Sequence, residues 1–214
     1  MQITVITAIF DGYDTLREPL IQSSECRYIC YTDHPWTSKT WEMRVPPDLD
    51  GLPARRARRY KVLAEADTPF VLWHDGSMQL KCDPVDLLPH IEDANMVAWK
   101  HPWRSCLYRE AKECIDRGRG NRQEIEAQVT RYQAAGMPTQ MPMIETGFLL
   151  RRNCPEQQAF NRAWWAEIEA GSWRDQISFP YVCWKTGTGH NLFPDKLRAN
   201  RWVILHGKHA KPPI

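Results

Sequence analysis

An α/β fold, with a mainly parallel, mixed sheet flanked by helices, is what this sequence predicts, on three observations. Short apolar or β-branched runs alternate with longer stretches of helix formers, the order of strand and helix in such folds. Two of the apolar runs, Arg27-Tyr28-Ile29-Cys30-Tyr31 and Phe70-Val71-Leu72-Trp73, are followed within three residues by an acid, Asp33 and Asp75. In open α/β sheets ligands bind outside the carboxyl ends of strands, so an acid there is placed to hold a metal or a substrate hydroxyl. Finally, 214 residues with 43% hydrophobic content bury one sizeable core without splitting, so residues 1–214 read as a single domain.

The first strand lies within Gln2 to Ile9, where Ile3-Thr4-Val5-Ile6-Thr7 is β-branched throughout, and the loop Phe10 to Asp14 follows it. A short helix is expected over Thr15 to Ile21, then the Arg27–Tyr31 strand ending in Thr32-Asp33-His34-Pro35. After the loop marked by Pro46-Pro47 and Gly51-Leu52-Pro53, Ala54 to Ala66 has helix formers and no breaker. That helix carries Arg55, Arg58 and Arg59 at i, i+3 and i+4, with Lys61 three residues after Arg58, so several cations can share a face for solvent or for phosphate.

Thr68-Pro69 opens the Phe70–Trp73 run and Gly76 stops it, which makes a buried central strand with Asp75 first to leave the sheet. Asp before Gly is also a common turn pair. Asp83-Pro84 caps a short helix from Val85 to Ile91, and Met96 to Trp99 is the next strand. Ser105 to Gln133 reads as two helices broken at Gly118-Arg119-Gly120 and covering the site. Met143 to Leu150 is a strand interrupted by Glu145 and Gly147, and an acid within an apolar run needs a reason. Helices over Pro155 to Ala170 and from Trp173 to Trp184, then a strand at Trp202 to Leu205, complete the chain before the tail His206 to Pro212.

Lys+Arg 28 against Asp+Glu 26 gives a net charge of +2, short of the strong positive balance of a dedicated duplex-DNA binder, though nucleic acid as acceptor is not excluded. No apolar run approaches the length of a membrane span, and the amino terminus runs into a strand pattern without a basic flank and cleavage site, so a cytoplasmic protein is expected. Seven scattered cysteines, without C-x-x-C pairs or zinc spacing, fit reduced thiols. There is no P-loop and no G-x-G-x-x-G fingerprint, so any phosphate must be met by cations or metal.

Taken together and in this order, Tyr31-Thr32-Asp33, Arg58-Arg59-Tyr60-Lys61, Trp73-His74-Asp75-Gly76, His101-Pro102-Trp103-Arg104, Glu145-Thr146-Gly147 and Arg174-Asp175-Gln176 resemble the glycosyltransferase-like family long held as a domain of unknown function, which includes plant mucilage-related Golgi proteins. That family is similar to nucleotide-sugar transferases of the GT-A fold. The resemblance implies a hexosyl- or pentosyltransferase with a nucleoside-diphosphate sugar donor and Mn²⁺ or Mg²⁺. It puts Asp75 at the first acid of the metal-binding Asp-x-Asp, with Ser77 at its third position in place of a carboxylate, and His206 as a further metal ligand. Tyr13 and Asp33 would line the base pocket, Arg58, Lys61 and Lys211 would meet the diphosphate, and Asp175, Gln176 and Glu145 would lie beside the reacting sugar and acceptor. The acceptor is open: a glycan, a lipid, a protein or a modified base. Two other classes stand beside this one, a non-catalytic nucleotide- or sugar-binding protein of the same fold and a metal-dependent phosphohydrolase built on His74-Asp75.

Overall fold

The computed structural model describes residues 1–34, 36–47 and 51–207. In chain order these form β1 (Ile3–Ile9), β2 (Cys26–Thr32), β3 (Glu42–Arg44), α1 (Pro53–Leu63), β4 (Phe70–His74), β5 (Met78–Leu80), a 3₁₀ helix (Pro84–His90), β6 (Met96–Lys100), α2 (Leu107–Asp116), α3 (Arg122–Ala134), β7 (Ile144–Arg152), α4 (Pro155–Glu169), α5 (Asp175–Thr186), β8 (Asn191–Leu192) and β9 (Val203–Leu205). Seven strands make one sheet in the order β3-β2-β1-β4-β7-β6-β8, while β5 and β9 pair separately. Within the large sheet β7 runs antiparallel to β4 and β6, and the other described pairings are parallel. The sheet is mixed and mainly parallel.

Every residue of β1 is buried, as a strand covered on both faces requires. Alternate side chains divide the core into two layers. Ile6, Trp73 and Leu149 face α1, α4 and α5, with Val62, Phe160 and Trp164 among their neighbours. Val5, Leu72 and Leu150 face the other way, onto Leu87, Phe193 and Trp202.

Because β7 is reversed, its first residues reach the edge where β1, β2, β4 and β6 end. Its pairing slips there: Ala98 of β6 lies opposite Leu149, but the next residue, Trp99, lies opposite Glu145. Thr146, Gly147 and Phe148 are thus looped out from β6, a bulge that presents an acid at the sheet edge. This is the reason for the acid in the apolar run.

The expected helix over Thr15 to Ile21 does not form. Pro19 removes an N–H from its middle, and the backbone is used elsewhere: the Arg17 carbonyl accepts the Trp41 indole N–H at 3.0 Å, and the Leu20 N–H donates to the Leu80 carbonyl at 2.8 Å. The short helix after Asp83 is 3₁₀, with Pro89 inside it and the Asp83 carboxylate accepting the Val85 N–H at 2.9 Å.

Candidate active site

Lys61 is the centre of the site. It lies on the last turn of α1, its side chain is 1% exposed, and its ammonium contacts two acids from different elements. Asp175 Oδ2 is 2.6 Å away and Asp75 Oδ1 3.4 Å, with Thr146 Oγ1 at 3.5 Å. The ammonium also lies 5.7 Å from the centre of the Trp73 ring, whose indole N–H donates to Asp75 Oδ1 at 2.9 Å. Lys61 was expected to reach a diphosphate; here it is enclosed, a fixed counter-charge for two carboxylates.

Asp175 opens α5, where the helix dipole favours an acid. The Trp164 indole of α4 holds that first turn through the Asp175 carbonyl at 3.2 Å and Ser178 Oγ at 3.1 Å. Burial pushes the Asp175 carboxyl up, but Lys61 and then Arg58 outweigh it and hold the group well below the usual carboxylate range. Arg58 Nε is 3.6 Å from Asp175 Oδ1. The same guanidinium lies 5.0 Å from the centre of the Trp173 ring, and that of Arg174 lies 5.2 Å from it.

Asp75 is the most open acid of this group, with its side chain 36% exposed. Its N–H donates to the Gly147 carbonyl at 2.8 Å, tying the end of β4 to the β7 bulge. Gly76 is needed for close approach, since a Cβ there would lie 2.7 Å from Ile9 Cγ1 and 3.0 Å from Asp14 Cβ, and a Cβ on Gly147 would press on the Met78 methyl at 2.8 Å and on Asp75 Oδ2 at 3.0 Å. Glu145 is half-buried beside Gln176, whose amide donates to Glu145 Oε2 at 3.3 Å and to the Ile144 carbonyl at 3.4 Å. Burial, then the neighbouring Asp75 and Glu110 charges, raise the proton affinity of Glu145.

Asp11-Gly12 turns the chain after β1, both residues having positive φ and the Tyr13 N–H donating to the Phe10 carbonyl at 3.2 Å. Tyr13 is thereby brought close enough to Arg58, Arg174 and Arg119 for all three to bear on its hydroxyl, though burial dominates and raises its pKa. Asp33 sits at the end of β2 as expected, but its carboxylate accepts the Asp11 N–H at both oxygens, 3.0 and 2.8 Å, and lies 3.8 Å from Arg56. It braces the β1 loop. Of the cations of α1, Arg58 and Lys61 share the face that meets Asp175, whereas Arg55 donates to carbonyls at the end of α4 and at Gly171, Arg56 lies over Phe10, and Arg59 is exposed.

Ser77 and His206 are opposite one another where β5 meets β9, the His206 N–H donating to the Ser77 carbonyl at 2.8 Å. The imidazole Nε2 is engaged with Gln79 Oε1 at 3.1 Å. Lys211 lies outside the described residues. Among those described, no three His, Cys, Asp or Glu side chains gather as a metal centre, and Lys61 already stands against Asp75. These residues do not fit a self-contained Mn²⁺ or Mg²⁺ site. Nor do His74 and Asp75 form a hydrolase pair: the His74 ring points to the opposite layer, packing edge-on against Trp41 with its Nε2 buried and unpartnered, and burial lowers its pKa.

Glu110 and Trp173 carry no motif that marks their role, and the sequence marks Arg174 only as the residue before Asp175-Gln176. Glu110 of α2 gathers Arg104, Arg174 Nη2 at 3.6 Å and His101 Nε2 at 3.8 Å, and Arg174 Nη2 continues to Gln176 Oε1 at 3.3 Å.

A family model described as TOD1/MUCI70, glycosyltransferase-like domain matches residues 61–206, a span that starts at Lys61 and includes Asp75, Glu145 and Asp175. The probable hexosyltransferase MUCI70 of Arabidopsis thaliana is 25% identical over a 236-residue alignment taking in 92% of this chain. The chain spans 40% of the length of that relative. Among solved structures, the apo form of WbbM, a bifunctional glycosyltransferase, has a TM-score of 0.50 at 9% identity, covering 85% of this chain and 37% of that one, a likeness of fold. The apo-form glycosyltransferase GlyE of Streptococcus pneumoniae TIGR4 aligns at 13% identity over 91% of this chain and 46% of its own, with a TM-score of 0.49. The fold is GT-A-like.

Proposed function

The chain belongs to the TOD1/MUCI70 glycosyltransferase-like domain family, and from that premise we propose that it transfers a hexosyl or pentosyl group from a nucleoside-diphosphate sugar to an acceptor hydroxyl. One observation carries the reading. Two acids, Asp75 just after β4 and Asp175 of α5, hold an enclosed ammonium at the edge where the parallel strands end, with the Glu145 carboxylate of β7 close enough to feel Asp75 and with Arg58 beside Asp175.

Glycosyl transfer breaks the bond between the anomeric carbon and the diphosphate oxygen while positive charge grows on the carbon and negative charge on the leaving group. Arg58, which is partly exposed, with Arg174 and Arg119 near Tyr13, offers the cationic wall on which a nucleoside diphosphate would leave. Asp75, the open acid, accepts hydrogen bonds from hydroxyls of the donor. Lys61 keeps the Asp75 and Asp175 charges from repelling that diphosphate, so its task is electrostatic balance within a fixed scaffold. Glu145 receives the acceptor hydroxyl, and its raised proton affinity suits it to take a proton as the new bond forms. Gln176 holds Glu145 in place.

The test is consumption of nucleotide sugars without acceptor, water taking its place. Incubation with uridine- and guanosine-diphosphate sugars is expected to release one nucleoside diphosphate, at a rate that Asp75→Asn lowers at least tenfold. Tight binding of a nucleotide sugar with no turnover would instead favour a non-catalytic binding protein. A chain that neither binds nor consumes any of them is not a nucleotide-sugar transferase.

A further inference from the structure

We propose that Trp103 is the platform for the acceptor, and that the acceptor presents a pyranose ring; this rests on the transferase reading above. The location follows from the β6–β7 ladder. Trp99 lies opposite Glu145 and Lys100 opposite Ile144, and the His101 N–H then donates to the Met143 carbonyl at 2.8 Å. The loop carrying Trp103 therefore leaves the sheet beside Glu145, on the edge that holds the candidate site.

Ten tryptophans occur in the chain, and Trp103 alone is exposed, at 64%. Leaving an indole in water forgoes burial that nearly every other aromatic ring here obtains. Its loop is nonetheless held. His101 Nδ1 accepts the N–H groups of Trp103 at 3.3 Å and Arg104 at 3.0 Å, which leaves the ring proton on Nε2, toward Glu110. Arg104 donates to the same Glu110, which stands against Arg174, and Arg174 reaches Gln176 and through it Glu145. A single polar network thus positions both the exposed indole and the acid that receives the acceptor hydroxyl.

The chemistry of the surroundings selects the occupant. Arg198 places its guanidinium carbon 5.3 Å from the centre of the Trp103 ring and is close enough to Glu145 to act on its charge. A pyranose has an apolar C–H face and a rim of hydroxyls. Trp103 meets the face, and Glu145, Gln176 and Arg198 offer the acceptors and donors the rim requires. A nucleic-acid strand also stacks on indoles, but its phosphates would meet the Glu145 carboxylate at this lip.

The experiment uses the full chain with ¹⁵N-labelled tryptophan, the Trp103 indole signal being identified by its loss in Trp103→Phe. Methyl glycosides of glucose, galactose, mannose and xylose, and a short single-stranded oligonucleotide, are titrated separately. At least one glycoside is expected to shift that signal, and Trp103→Ala to weaken its binding about tenfold, with Trp103→Phe retaining most of the affinity. Indifference of the Trp103 signal to every glycoside overturns the proposal, as does a response to the oligonucleotide alone. Glycoside binding at Trp103 in a protein that never consumes a nucleotide sugar would leave the platform in place and remove the transferase reading.

Discussion

Two cations are buried almost equally in this protein, Lys61 at 1% and Arg151 at 2%, yet one belongs to a site and the other to the scaffold. Lys61 faces two carboxylates at the edge of the sheet where its parallel strands end. Arg151, on the same end of β7 as the start of β4, has no acid within ion-pair reach among the described residues. Its Nη2 donates to the Lys61 carbonyl at 2.6 Å, and its Nη1 to the Val62 carbonyl at 3.3 Å and Asn161 Oδ1 at 3.5 Å. It caps the carboxyl end of α1, where a cation is favoured. Its Nε is buried without a partner beside a hollow of about 510 Å³, and burial lowers its pKa to about 10. One turn of helix is thus gripped from both sides, by its backbone at one end of the sheet and by its lysine at the other. A buried charge set against helix-end carbonyls is a brace, whereas one set against ionised acids creates a field that a ligand can use.

The largest expected effect comes from breaking the acid pair. Asp175→Leu removes the closer of the two acids and leaves the buried Lys61 ammonium with Asp75 alone, and should lower unfolding free energy by about 3–5 kcal/mol, with loss of nucleotide-sugar turnover. Lys61→Met combined with Asp175→Leu should recover most of that stability and none of the turnover. A double variant as unstable as the single one would show that the pair is not what Asp175→Leu breaks. The pH dependence has a definite sign. Asp175 has a depressed folded pKa, so its contribution is complete above the unfolded value of about 4 and is lost as pH falls through the folded value. Denaturant titrations should show the gap between wild type and Asp175→Leu narrowing only below about pH 4.

The brace should behave differently. Arg151→Met leaves the Lys61 and Val62 carbonyls without their donor and is expected to cost about 1–3 kcal/mol. Turnover per folded molecule should fall by less than about tenfold, since the acids and Lys61 keep their contacts. Loss of turnover as complete as in Asp175→Leu, in a protein that remains folded, would erase the distinction between brace and site.

The sequence made one of these two cations visible. Lys61 stands in a helix crowded with arginines, and Asp75 ends an apolar run before glycine, so both attract notice by charge and by strand-end position. Arg151 lies at the end of Phe148-Leu149-Leu150, where an arginine reads as the first polar residue after a strand. Only the crossing of β7 under the end of α1 gives it a role. The strands and the acid-bearing edge were legible because burial on both faces leaves continuous apolar runs. The Thr15–Ile21 segment was misread partly against a visible signal, Pro19, and partly because its backbone partners, Trp41 and Leu80, are distant in sequence. Lys61 was read as an open cation because spacing along a helix says where a side chain starts and nothing of which acids enclose it.

Glu145 supplies the smallest effect and the sharpest contrast with Lys61, being a half-buried acid with like charges near it. Burial, Asp75 and Glu110 raise its folded pKa against the weaker pull of Arg198 and Gln176. A group with a raised folded pKa contributes stability fully below its unfolded value, about 4.3 for glutamate, and loses it as pH rises through the folded value. At neutral pH the ionised carboxylate is therefore a net burden on the fold. Glu145→Gln keeps the shape, and the amide can still meet Gln176, without the charge. Its melting temperature should exceed that of wild type by about 2 °C at pH 7, a shift of the size that a fraction of a kcal/mol to 1 kcal/mol gives in a chain of this length. The gain should vanish near pH 4, where the wild-type side chain is itself protonated. Transfer to the acceptor should fall in the same variant, because an amide cannot take the hydroxyl proton. A Glu145→Gln protein that is less stable than wild type at pH 7 would mean that the carboxylate is compensated after all, as Asp175 is, and that the β7 bulge carries a structural ion pair in place of an acceptor-facing acid.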